Sequence, residues 1–138
     1  MAIKTTESGT TLRNRLARSI VLAIRTLMQQ GNPDEKSLDM AAYIVLALEK
    51  INETIDTAAA AWEKRDYWVK ADQFRQEWAW IEGSHRRLKA AVLAQNWAEI
   101  ATEVISVGQH FSHIKIAEKN RIGEPWTGAW NALKRSSD

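Results

Sequence analysis

The stretch ADQFRQEWAWIEGSHRRLKAAVLAQ, residues 71–95, puts Ala71, Phe74, Trp78, Ile81, His85, Leu88, Val92 and Gln95 on one register. The steps alternate three and four. That is a heptad seam held over roughly three repeats, and only a helix places such positions on one stripe. His85 stands mid-seam, where an apolar residue belongs.

Working outward, the same period recurs on both sides. Upstream, the seam Ala41, Ile44, Leu48, Ile51, Ile55, Ala58, Trp62 predicts a helix from about Pro33 to Lys64. Asn32 is its expected cap, with Pro33 at the first position and Glu35 completing a capping box. No glycine or proline separates this helix from the next. Unbroken from Pro33 to Gln95, it would run about 95 Å at about 1.5 Å per residue, too long for a compact domain of this size. A tight turn is therefore expected at Arg65–Tyr67, with Asp66 as cap. Before Gly31, residues Thr11–Gln30 carry two apolar stripes: Leu16, Ile20, Ala23, Leu27 and Ala17, Val21, Ile24, Met28. An arc that wide suits a helix with two neighbours.

Downstream, Asn96-Trp97-Ala98-Glu99 is another capping signature. The seam Trp97, Ile100, Val104, Val107, Phe111, Ile114 carries a helix to about Lys119. A second stripe there, Ala101, Ile105, Gly108, Ser112, consists mostly of small residues. Arg121–Pro125 reads as a loop, and Trp126–Lys134 as a short final helix. The predicted fold is all-α: a four-helix up-down-up-down bundle with a short C-terminal helix. It forms one domain over residues 11–135, after a flexible N-terminus at 1–10.

The 138 residues contain no cysteine, which excludes disulfides, thiolate nucleophiles and thiolate metal sites. Met1–Thr10 has one lysine and no apolar run, so no secretory signal is expected. No apolar run approaches the length of a membrane span. A soluble cytoplasmic protein without a membrane partner is expected. The formal net charge is only +2, but its sign alternates: +4 over residues 1–31, −4 over 32–66 and +2 over 67–95. Such alternation is common between neighbouring helices of a bundle.

No motif names a reaction, so a catalytic role is not expected: there is no dinucleotide or P-loop glycine pattern, no H-E-x-x-H and no EF-hand loop. His85 has two readings, a buried histidine bonded to a facing helix, or a metal ligand. The metal reading joins Glu82, His85, Glu103 and His110, on the logic that bundle sites are built from facing helices. Glu82 and His85 have the Glu-x-x-His spacing of di-metal bundles, but neither other histidine has a glutamate three residues before it. No cofactor is expected; a divalent metal is the alternative.

Seven tryptophans are the strongest compositional signal. Trp62, Trp78 and Trp97 lie on seams and read as core. Trp80 is two residues from Trp78 and should point outward, beside Gly83 and Arg87. An outward tryptophan next to a mid-helix glycine marks a docking surface, covered by a partner subunit, by the Trp126/Trp130 helix folding back, or by a stacked base. Arg13, Arg18 and Arg25 on the first helix, with Arg75, Arg86, Arg87 and Lys89 on the third, are candidates for sequence-tolerant contact with nucleic-acid phosphates. The expected function is a non-enzymatic helical interaction subunit. It self-associates as a homo-oligomer or joins a partner protein in a larger complex, one that can include nucleic acid. The alternative is a metal- or small-cofactor-binding bundle centred on His85.

Overall fold

Ser8 starts the first helix: its hydroxyl accepts a hydrogen bond from the Thr11 N–H at 3.1 Å, supplying a partner to one of the unpaired donors of a helix N-terminus. A computed structural model describes residues 7–137. Of the ten residues expected to be flexible, 1–6 lie outside the described residues, and Gly9 and Thr10 are already helical. The elements are α1 (Gly9–Met28), α2 (Glu35–Lys64), α3 (Trp68–Glu77), α4 (Trp80–Leu93), α5 (Trp97–His110) and α6 (Ala129–Ser136). There is no strand among the described residues.

α2 begins two residues later than the Asn-Pro signature suggests. Asp34 is its cap, accepting from the Ser37 N–H at 2.9 Å and the Ser37 hydroxyl at 3.0 Å. Its N-terminal half is apolar around most of its circumference: Met40, Ala41, Ala42, Ile44, Val45, Ala47 and Leu48 are all buried. α1, α3, α4 and α6 all pack on it. α5 packs on α4 and touches α1 along a thinner seam.

The turns expected at Arg65–Tyr67 and Gln95–Asn96 are present, and each uses a non-glycine residue at positive φ, Asp66 at 62° and Gln95 at 53°. The Tyr67 N–H reaches Trp62 O at 2.9 Å and the Asp66 N–H reaches Glu63 O at 3.0 Å; Asn96 to Ala91 O and Gln95 to Val92 O repeat the pattern at 2.9 Å each. This is the Schellman ending of a helix, usually built on glycine. Asp66 thus closes α2 and does not cap α3, whose first turn has no side-chain cap. Asn96 does cap α5, accepting from the Glu99 N–H at 3.3 Å.

Two further expectations are corrected. The helix predicted over residues 71–95 is interrupted at Trp78–Ala79. There the bonds tighten to three-residue steps, Ala79 N–H to Gln76 O at 3.3 Å and Ile81 N–H to Trp78 O at 3.1 Å, which winds the chain more tightly than an α-helix. The helix predicted to reach Lys119 stops at His110. Phe111 and Ile114 turn inward, and residues 115–125 run as an irregular strap. Arg25 holds that strap, donating to Ile116 O at 2.8 Å and Ala117 O at 3.4 Å.

α6 docks on α2 by its buried Ala129 and Leu133. The Asp39 carboxylate of α2 accepts from the Gly128 N–H at 3.3 Å and the Trp130 N–H at 2.9 Å. A negative charge at a helix N-terminus is favourable, and here it also sets the docking register. Asp39→Ala should cost about 1–2 kcal/mol in denaturant unfolding and speed amide exchange in α6 before the rest of the chain. Gln95→Gly, by relieving a left-handed side-chain residue, should raise stability by about 0.5–1 kcal/mol, and Gln95→Val should lower it.

Candidate interaction surface

α1 and α5 carry the second apolar stripes, and the thin contact between them leaves those stripes open. Ile24 is half-buried and Met28 is 59% exposed on α1; Ala101 is exposed and Ile105 is 47% exposed on α5. Gly108 brings the helices together: a Cβ placed there would lie 3.8 Å from Ile24 Cδ1. Beyond this contact the helices leave a pocket of about 190 Å³, lined by Leu27, Met28, Gly31, Pro33, Trp97, Ile100, Ala101 and Val104. Its volume is below that of ordinary cofactor sites. It suits one large side chain from a docking helix.

Trp80 is not outward. The tightened turn at Trp78–Ala79 rotates it into an aromatic cluster. Its ring stacks on His110 with centroids 3.9 Å apart and planes 3° from parallel. It meets Phe111 edge-on at 5.4 Å and Trp78 at 6.1 Å. The end of α5 therefore covers Trp80, and the Trp126/Trp130 segment does not. Trp126 is 3% exposed and, with Leu22, lines a depression beside α1. Trp130 is half-buried, with the Lys134 ammonium 5.0 Å from its ring centroid. Gly83 gives room to the chain's own Arg87: a Cβ there would lie 2.9 Å from Arg87 Nη1. Arg87 then reaches α5, its Nε donating to the Glu103 carboxylate at 3.0 and 3.2 Å.

Most of the expected basic face is engaged inside the fold. Arg13 is 8% exposed. It donates to the Thr54 hydroxyl at 3.0 Å and the Thr10 hydroxyl at 3.3 Å, and lies 4.9 Å above the Phe74 ring. Burial pushes its pKa down, opposed by Glu77. Arg75 makes a two-pronged bridge to Glu63 at 3.0 Å per arm, Arg25 holds the strap, and Arg87 holds α5. Arg18 and Arg86 stay exposed and Lys89 half-buried, with no ion pair among the described residues.

The proposed metal set is dispersed. Glu103 pairs with Arg87 and His110 with the Trp80 ring, while His85 faces Glu49 of α2. Among the described residues no three His, Cys, Asp or Glu side chains are gathered to hold a metal. The His85 side chain is 18% exposed. Its Nε2 is buried without a hydrogen bond, 3.8 Å from Glu49 Oε2, beyond hydrogen-bonding distance. Burial lowers its pKa below the ordinary 6.5; Glu49 and Glu82 oppose that shift and Lys89 adds to it.

The reading from residue spacing missed three neighbours at the α2–α3 turn: Tyr67 is 52%, Trp68 60% and Val69 71% exposed. The available signal was a run of cations around aromatic residues at a turn. Comparison with known proteins gives no family model, no curated protein and no solved structure that matches this chain.

Because folding depresses the His85 pKa, the unfolded chain takes up a proton more readily than the folded one below pH 6.5. The His85 contribution is thus fully present above that pH and is lost as pH falls toward the depressed value. Its slope is at most about 1.4 kcal/mol per pH unit. Urea unfolding between pH 7 and 5 should show this loss, and His85→Gln should flatten it.

Proposed function

We propose that the chain is a non-enzymatic interaction subunit that self-associates through the α1–α5 face. The carrying observation is the exposed pair Met28 and Ala101 on the walls of a pocket sized for one side chain, with Ile105 also exposed on α5. The small, exposed side chain of Ala101 lets a second helix approach closely. Exposed apolar surface of this kind, rimmed by polar residues, is characteristic of protein contacts. A second copy is the occupant this reading adopts, because each chain carries both a pocket and a large exposed side chain, Met28, beside it. That is the self-complementarity a two-fold contact requires. The frame is read as an up-down-up-down bundle, with α3 and α4 forming one interrupted helix; the short turns and the packing of sequence neighbours support this. Nucleic-acid binding through the face expected from Arg13 to Lys89 is not carried forward, since Arg13, Arg25, Arg75 and Arg87 are already engaged.

Light scattering at tens of micromolar should give a mass above the 15.7 kDa monomer. Ile105→Glu should return it to monomer while keeping the helical circular dichroism of the unaltered chain. A monomeric mass for the unaltered chain would refute self-association.

A further inference from the structure

The seven residues Lys64–Lys70 are all exposed, at the tip of the α2–α3 hairpin. Within them, Tyr67, Trp68 and Val69 form a consecutive apolar group, 52%, 60% and 71% exposed. Lys64, Arg65 and Lys70 surround it, with Asp66 as the one carboxylate of the segment. The Lys70 ammonium lies 5.7 Å from the Tyr67 ring centroid. Nothing in the fold uses this group: the core-facing residues of α3 are Ala71 and Phe74.

We propose that this tip is a peripheral binding site for an anionic lipid bilayer, with Trp68 and Val69 entering the interface and Lys64, Arg65 and Lys70 meeting lipid phosphates. Two properties select this occupant. The composition joins a wholly aliphatic side chain to two amphipathic rings and three cations, the combination that suits the boundary between headgroups and acyl chains. Val69, the most exposed of the three, gains from burial in hydrocarbon and nothing from a nucleotide. The form is also that of a projecting turn. Single-stranded nucleic acid is held along a positively charged groove with stacking platforms, whereas a bilayer yields to a projection. No helix among the described residues is long and apolar enough to cross a membrane, so this contact is confined to one surface.

The test is sedimentation of the full chain with vesicles of phosphatidylcholine alone and of phosphatidylcholine with phosphatidylserine, at low and high salt. Binding should require phosphatidylserine and weaken with salt. Trp68→Ser with Val69→Ser should lower partitioning at least tenfold. Each of Lys64→Gln, Arg65→Gln and Lys70→Gln should lower it about fivefold. These side chains are exposed, so the melting temperature should hold in every variant, which separates lost contact from lost fold. Absence of vesicle binding would overturn the proposal, as would equal binding by the Trp68/Val69 variant. Binding of single-stranded poly(U) that is lost in that variant, without vesicle binding, would overturn it in favour of nucleic acid. Vesicle binding by the Ile105→Glu variant reads this site without self-association, so its failure is distinct from failure of the α1–α5 reading.

Discussion

α2 is the element on which four other helices pack, and the fold depends on its being apolar around most of its circumference. A surface helix hides one stripe; the N-terminal half of α2 buries Met40, Ala41, Ala42, Ile44, Val45, Ala47 and Leu48 in nearly continuous sequence. An all-round apolar helix is stable only when enclosed. α1, the α3–α4 pair and α6 supply that enclosure. The small side chains along it let each neighbour come close, and Asp39 anchors the N-terminus of α6. α5 stands one layer removed, held by α4 and the Arg87–Glu103 bridge. Its far side consequently stays exposed at Ala101 and Ile105.

The helical class and the two hairpin turns were legible because they rest on local, repeated signals: three-four spacing and the side chains at helix ends. Three features were not. The interruption at Trp78–Ala79 has no glycine or proline; it coincides with the aromatic cluster of Trp78, Trp80 and Phe111, whose last member lies over thirty residues away. Beyond the early end of α5, Arg25 holds the strap carbonyls, again a contact distant in sequence. The positive-φ residues Asp66 and Gln95 occupy positions that usually announce themselves as glycine. Each case turns on tertiary contacts or on a strained backbone, to which periodicity is blind.

The arginines show the same limit in electrostatic form. Sequence spacing shows which face of a helix bears charge, but not whether that face meets a neighbour. Arg13 and Arg75 lie where α1 and α3 approach α2, so their planar forks serve as internal donors: Arg13 to Thr54, Arg75 to Glu63. A guanidinium suits this use, because it can bond with several donors while lying flat on a ring such as Phe74. His85 is the opposite case. Its place in the seam was correctly read as facing inward, but what it faces is Glu49 across 3.8 Å, not another ligand.

Two apolar surfaces remain after these internal uses are subtracted, and α2 sets their separation. The α1–α5 pocket reaches Pro33 and Ser37 at the start of α2, and the aromatic tip begins at Lys64, its last residue. Thirty helical residues span about 45 Å at about 1.5 Å per residue. Contacts at the two ends therefore do not compete for the same surface. An assembly joined at the α1–α5 end would present several tips, and a surface contact too weak for one copy gains from being repeated within a linked array. The enclosure of α2 matters for this: a helix enclosed along its first half holds its far end in a fixed direction, so the tips of associated copies would keep a defined spacing.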